Sequence, residues 1–232
     1  MKMGTGTGTG ILMFNGYRKE ASDLFWELQF NNERPWFLAH KEQFDELITK
    51  PTKELGAETA ALLKERFPLE NLELHVSRIY RDARRLFGRG PYKDNLWFSI
   101  ESPAKEDSKP GFFFEIRPEG WCCGMGFWCA RADEMENFRK SVDANPERFR
   151  RLAEEIARLD EFVIEGPVYK RPKGDYGELV NEWYNRRSFS LIRSGDFEGE
   201  LLEARLPAVL ADDFTKLMPM YDYLNQFCLR KS

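Results

Sequence analysis

Two histidines and four cysteines are all that 232 residues offer to metal or thiol chemistry. His40 and His75 stand far apart and in no metal-ligand spacing, and adjacent Cys122 and Cys123 do not make the C-x-x-C half of a zinc site. No metal and no cofactor is therefore expected. A cysteine nucleophile paired with His75 lacks any local signature, and such cysteines more often serve as small buried hydrophobes. Neither a G-x-x-x-x-G-K-[ST] phosphate loop nor a strand-linked G-x-G-x-x-G is present. The glycines from Gly4 to Gly10 belong to a Gly-Thr repeat, which reads as a flexible tail over residues 1–15. No apolar run approaches the roughly 20 residues that span a bilayer, and the N-terminus shows no secretory apolar core. The expectation is a cytoplasmic protein with reduced thiols and no membrane partner.

Aromatic residues, by contrast, are plentiful. Nineteen Phe and six Trp give the chain enough apolar surface for a sizeable core. The formal net charge of −4 argues against a protein coated in nucleic acid, though an acidic body still allows a basic patch.

The hydrophobic period changes twice along the chain. Tyr17 to Phe30, Arg34 to Ile48 and Pro51 to Arg66 carry helical spacing, with Asn32 placed to cap the second helix and Pro35 in its first turn. Alternation then takes over. Leu72, Leu74 and Val76 predict one strand, Leu96, Phe98 and Ile100 a second, and Phe112, Phe114 and Ile116 a third. A turn at Pro118-Glu119-Gly120 leads into a fourth strand, Trp121 to Cys129. Helices return at Ala132 to Val142 and Pro146 to Leu159, followed by short elements at Phe162 to Ile164, Gly177 to Tyr184 and Phe189 to Ile192. The last helix is expected over Asp212 to Leu229, kinked or interrupted near Pro219. This order predicts an α+β fold: N-terminal helices, a central mostly antiparallel sheet, and C-terminal helices packed on it, as one domain over residues 16–232.

Three constellations carry candidate chemistry. Between Arg78 and Lys93 the chain places six cations against a single carboxylate, Asp82. Arginine forks bind phosphate or carboxylate in pairs of hydrogen bonds. Arg78, Arg81, Arg84 and Lys93 are therefore candidate anion ligands, with Tyr92 to orient the ligand and Glu115 as an acid–base group on the mixed sheet face. The same cluster also reads as a structural ion-pair network, since buried charge demands pairing. In the fourth strand, Cys122, Gly124, Gly126 and Trp128 share one face. The two glycines permit close approach of a ligand or another backbone, with Trp121 and Trp128 as candidate aromatic walls. A β-bulge or tight helix packing explains the same glycines. The third is the basic loop Tyr169 to Asp175, where Lys170 and Arg171 would either cover an anion or face solvent.

In their order and spacing, Asn31-Asn32-Glu33-Arg34-Pro35-Trp36-Phe37, Arg78 to Arg84, Pro91-Tyr92-Lys93, Gly124-Met125-Gly126-Phe127-Trp128, Lys170-Arg171-Pro172-Lys173-Gly174 and Arg187-Ser188-Phe189 resemble a conserved uncharacterised family, domain of unknown function 2461. The likeness runs from about Ser22 to Leu229. One run departs from it: where that family usually has aromatic-Ser-x-Asp-Lys, this chain reads Arg85-Leu86-Phe87-Gly88-Arg89-Gly90, so no role of that aspartate carries over. The resemblance implies a soluble intracellular domain and brings no established activity with it.

Three functional readings follow. The first is binding, with or without catalysis, of an anionic small molecule at the Arg/Lys cluster. The second is nucleic-acid binding, with Tyr80, Tyr92 and Trp97 available to stack bases. The third is a non-catalytic scaffold or partner-binding domain in which the arginine motif serves the fold. No residue pattern assigns an oligomeric state.

Overall fold

The computed structural model describes residues 13–82, 84, 88–103, 109–127 and 129–228, the side chains of 227 and 228 excepted. The Gly-Thr repeat, Arg85 and Trp128 lie outside the described residues. Helix α1 (Glu20–Phe30) buries Ala21, Leu24, Phe25 and Leu28, the stripe that its helical spacing predicts. Helix α2 (Arg34–Phe44) carries Pro35 in its first turn and runs through a π turn (Asp45–Thr49) into α3 (Lys50–Arg66). Pro51 follows that turn at the start of α3. It has no N–H to donate and its ring crowds the carbonyl four residues back, within the widened turn.

The sheet is antiparallel throughout, in the order β1-β2-β3-β4-β6-β5. Its strands are β1 (Glu73–Val76), β2 (Leu96–Glu101), β3 (Pro110–Arg117), β4 (Gly120–Phe127), β5 (Val163–Glu165) and β6 (Ser190–Asp196). Between them lie α4 (Ala132–Ala144), α5 (Pro146–Ala157) and α6 (Glu178–Tyr184), and α7 (Leu206–Cys228) closes the chain. Alternation sends Phe98, Ile100, Phe112, Phe114, Ile116, Cys123, Met125 and Leu191 to one face, where they are buried. Helices α3 and α7 pack on that face. Phe112 stacks on Phe214 and Tyr221 of α7, with ring centroids 5.1 and 4.8 Å apart. Trp97, Ser99, Phe113, Glu115 and Ile192 project from the opposite face and are only half-buried.

Two local expectations change. Asn32 does not cap α2. Its amide instead clasps the backbone of Tyr92, donating to the carbonyl at 2.9 Å and accepting from the N–H at 2.9 Å. That satisfies two backbone groups where a cap would satisfy one. Helix α7 begins at Leu206, earlier than predicted, and continues as helix through Pro219. Leu217, Met218, Met220 and Tyr221 around that proline are all buried, so packing on the sheet outweighs the lost backbone hydrogen bond.

Candidate functional site

The arginine motif lies beyond the end of β1, in an irregular ribbon that extends the β1–β2 pair. Ser77, Arg81 and Lys93 donate backbone N–H bonds to Trp97, Pro91 and Ile79, and Tyr80 bridges to Tyr92. The two-residue period survives in it: Arg78, Tyr80 and Asp82 are exposed, whereas Ile79 and Arg81 turn inward. The side chains therefore take different roles. Arg81 donates from Nε to the Tyr92 carbonyl at 2.7 Å and from Nη2 to Asp94 Oδ1 at 3.1 Å. Arg84 forms a fork with Asp82, with bonds of 3.1 and 2.8 Å, out in solvent. Tyr92 is buried, its ring stacked 4.0 Å from that of Phe37. Lys93 is half-buried and lies 5.6 Å from the centroid of the Trp97 ring. Burial lowers its ammonium below the usual lysine range, the Glu115 carboxylate opposes that shift, and Arg81 adds to it.

Trp97 leads from the motif to the half-buried sheet face. A cleft of about 510 Å³ runs over that face, floored by Trp97, Phe113, Cys122, Gly126 and Ile192. His75, Glu101, Lys109, Glu115 and Arg117 supply its charge and polarity. Register fixes what these groups can do together. Glu115 pairs with Trp97 across the strands and with Cys122 on the other side. Arg117 Nε lies 3.9 Å from Glu115 Oε1, and its Nη2 3.5 Å from Cys122 Sγ. Burial, followed by the negative charge of Glu115, pushes the Cys122 thiol up to about 11, so it stays protonated and weakly nucleophilic near neutrality. His75 and Cys122 lie on β1 and β4, three strand spacings or roughly 14 Å apart, which rules out a hydrogen-bonded Cys–His pair in this arrangement. Glu101 neighbours Gly111, four residues from Glu115 along β3. That is roughly 13 Å between backbone positions.

Of the remaining predicted residues, Gly126 lines the cleft and the others sit elsewhere. Trp121 is on the helix-bearing face, buried beside Phe114 with a centroid distance of 5.9 Å and 5.0 Å from the Arg193 guanidinium. The room left by Gly124 and Gly126 is taken up by β6. A Cβ at Gly124 would fall 1.8 Å from the Leu191 carbonyl oxygen, and one at Gly126 would fall 2.4 Å from Ser190 Cα. Lys170 and Arg171 are exposed on a loop that follows β5. Glu165 of β5 pairs with Ser190, at the far end of the sheet from the Leu96–Ile116 end where Lys93 lies. The two basic segments thus belong to opposite ends of the strands, and the loop does not cover the arginine motif.

A second hollow, about 530 Å³, lies between α5 and α7, where Arg148 and Arg151 mix with Glu147, Glu155 and Asp222. It contains none of the motif residues. The cleft residues not foreseen from sequence include Phe113 and Arg117, whose one signal was a large or charged side chain on the mixed face of a strand whose other face is apolar, and Lys109, which precedes that strand. No curated protein matches the chain. A family model does match, over residues 20–223, and on that evidence the chain belongs to the family described as conserved hypothetical protein (DUF2461).

Proposed function

We propose that the chain binds a small molecule with a flat apolar body and an anionic group on the open face of the sheet. Trp97 and Phe113 carry the body, while Lys93 and Arg117 face the anion. The observation behind this reading is the half-buried Lys93 ammonium beside a half-buried indole at the edge of a cleft that, among the described residues, no helix covers. Arg81 contributes its field to Lys93, its donors being engaged by Asp94 and the Tyr92 carbonyl. Glu115, set between Lys93 and Arg117, is the position from which a proton-transfer step would run if the ligand is a substrate.

Two dyes of similar shape test this reading: anilinonaphthalene sulfonate, which is anionic, and N-phenyl-1-naphthylamine, which is neutral. Lys93→Met is expected to weaken the sulfonate by about fivefold to tenfold, on the order of 1–1.4 kcal/mol, with the neutral dye little changed. Trp97→Ala is expected to weaken both. Unchanged binding of both dyes in both variants would remove the cleft as the site.

Nucleic-acid binding has one observation in its favour. Tyr80 is 54% exposed on the ribbon that carries exposed Arg78 and Arg84. Single-stranded DNA retention that falls steeply with salt and is lost in Tyr80→Ala would support it, and no retention at low salt would reject it.

A further inference from the structure

We propose a second anion site at the other end of the molecule, where Arg139, Lys173 and Arg187 gather on the ring of Tyr169 and would take a tetrahedral oxyanion of the phosphate or sulfate type. The three cations come from different parts of the chain: α4, the loop before α6, and the segment entering β6. Their charged groups lie 5.4, 4.8 and 5.6 Å from the Tyr169 ring centroid. The electron-rich ring draws them together but cancels only part of their mutual repulsion.

The nearby carboxylates hydrogen-bond to other groups, although the Arg139 charge still acts on Glu136 from a distance. Asp143, one turn on from Arg139, accepts the hydroxyls of Tyr176 at 2.6 Å and Tyr184 at 2.8 Å. Glu136 pairs with Lys140 at 2.8 Å. Asp175 accepts from Asn181 and from the backbone of Gly177. Among the described residues, Arg139, Lys173 and Arg187 have no carboxylate within ion-pair distance, and Arg139 Nη1 is buried with no hydrogen-bond acceptor. A native fold rarely leaves a buried guanidinium donor idle; Lys173 and Arg187 are exposed, so the buried Nη1 of Arg139 is the donor that calls for an acceptor, and the two exposed cations beside it favour an anionic one. Two arginine forks and an ammonium suit a multiply charged tetrahedral group, which offers acceptors to several donors at once.

The frame of the site is already fixed. Asn185, itself buried, accepts the N–H of Lys173 at 2.6 Å, donates to the Gly174 carbonyl at 3.2 Å, and takes the Tyr169 N–H on its own carbonyl at 2.9 Å. A loop held at these points has little ordering left to undergo when an anion arrives.

The test is thermal unfolding of the full chain in millimolar sodium phosphate against sodium chloride of equal ionic strength. A phosphate-specific rise in Tm is expected for the unsubstituted protein and for Lys93→Met, because mass action stabilises whichever fold holds the anion. Arg139→Met and Arg187→Gln are each expected to lose most of it. A glycerol phosphate arm separates the sources: a larger rise than with inorganic phosphate assigns the site to a phosphate ester, a smaller one to the free anion, and either supports it. No phosphate-specific rise, or a full rise in Arg187→Gln, overturns the proposal. Arg187 is exposed, so that variant decides the matter even if Arg139→Met does not fold. A rise lost in Lys93→Met but kept in Arg187→Gln would overturn this site and point to the cleft.

Discussion

Two basic segments of this chain look alike in sequence and are built in opposite ways. In the ribbon from Arg78 to Lys93, Arg81 and Arg84 each find an aspartate, Asp94 and Asp82. Around Tyr169 the nearby aspartate, Asp143, is held by two tyrosine hydroxyls, and among the described residues no carboxylate stands at ion-pair distance from the cations. The ribbon uses Arg81 as a structural strut and sets one lysine beside the Trp97 ring. The loop uses tyrosine and asparagine as struts and leaves its cations in excess. A count of positive residues does not separate these cases; the location of the acids does.

The largest expected effect falls on the ribbon. Arg81→Met takes the ion-pair partner from half-buried Asp94 and one of two donors from the Tyr92 carbonyl, which keeps the Asn32 amide, and is expected to destabilise the fold by about 2 kcal/mol in urea unfolding. A change below about 0.5 kcal/mol would show that Arg81 is no strut and would blur the contrast between the segments.

Asp143→Asn tests the loop. Two hydroxyls lose a charged acceptor, for an expected cost of about 1–2 kcal/mol. The same change removes a negative charge near the Tyr169 cluster, so the phosphate-specific rise in Tm should grow. An unchanged or smaller rise would show that the Asp143 charge does not act on the Tyr169 cluster.

The alkaline limb of stability offers a third test. Burial first, then the bond to Asp143, pushes the Tyr184 hydroxyl from an ordinary 10.0 up to about 12. The folded state keeps a proton that the unfolded chain has released, so this stabilisation is complete below pH 10 and is lost as pH rises towards about 12. In Asp143→Asn the tyrosinate absorbance of Tyr184 should appear at lower pH, still above 10, because burial is the larger cause. An unshifted titration would remove Asp143 from the account. Lys93 has the opposite sign. Its lowered value means the unfolded chain binds more protons just below the ordinary lysine range, so stability gains from it as pH rises there.

The smallest effect belongs to Arg84→Gln. Its fork with Asp82 is exposed to solvent, 89% at the arginine side chain, and no measurable change in the unfolding midpoint is expected. A marked loss would mean that the exposed rim is more tightly built than its solvent exposure implies.

Much of the fold was legible because period is a local property. Leu96-Phe98-Ile100 and Phe112-Phe114-Ile116 alternate because one face of their sheet packs on α3 and α7 and the other, among the described residues, carries half-buried side chains and a cleft. The α+β order follows from the same signal. What stayed hidden depended on partners distant in sequence. Asn32 reads as a cap until Tyr92, 60 residues on, comes within reach. Pro219 reads as a break until the buried residues around it are seen to hold the helix on the sheet. Arg139 looks like an ordinary polar position of an amphipathic helix, and only the folded chain sets it against Tyr169.

The sequence by itself determined the element types, the apolar face of each strand, the excess of cations in two segments and the family of the chain. Those depend on neighbours a few residues apart, where backbone geometry alone sets which side chains share a face. Only the tertiary structure decided which cations are neutralised, which glycines admit another strand, and which sheet face stays open. Each of these is a question of distance between residues far apart in the chain, and Coulomb attraction, hydrogen bonding and exclusion all act through that distance.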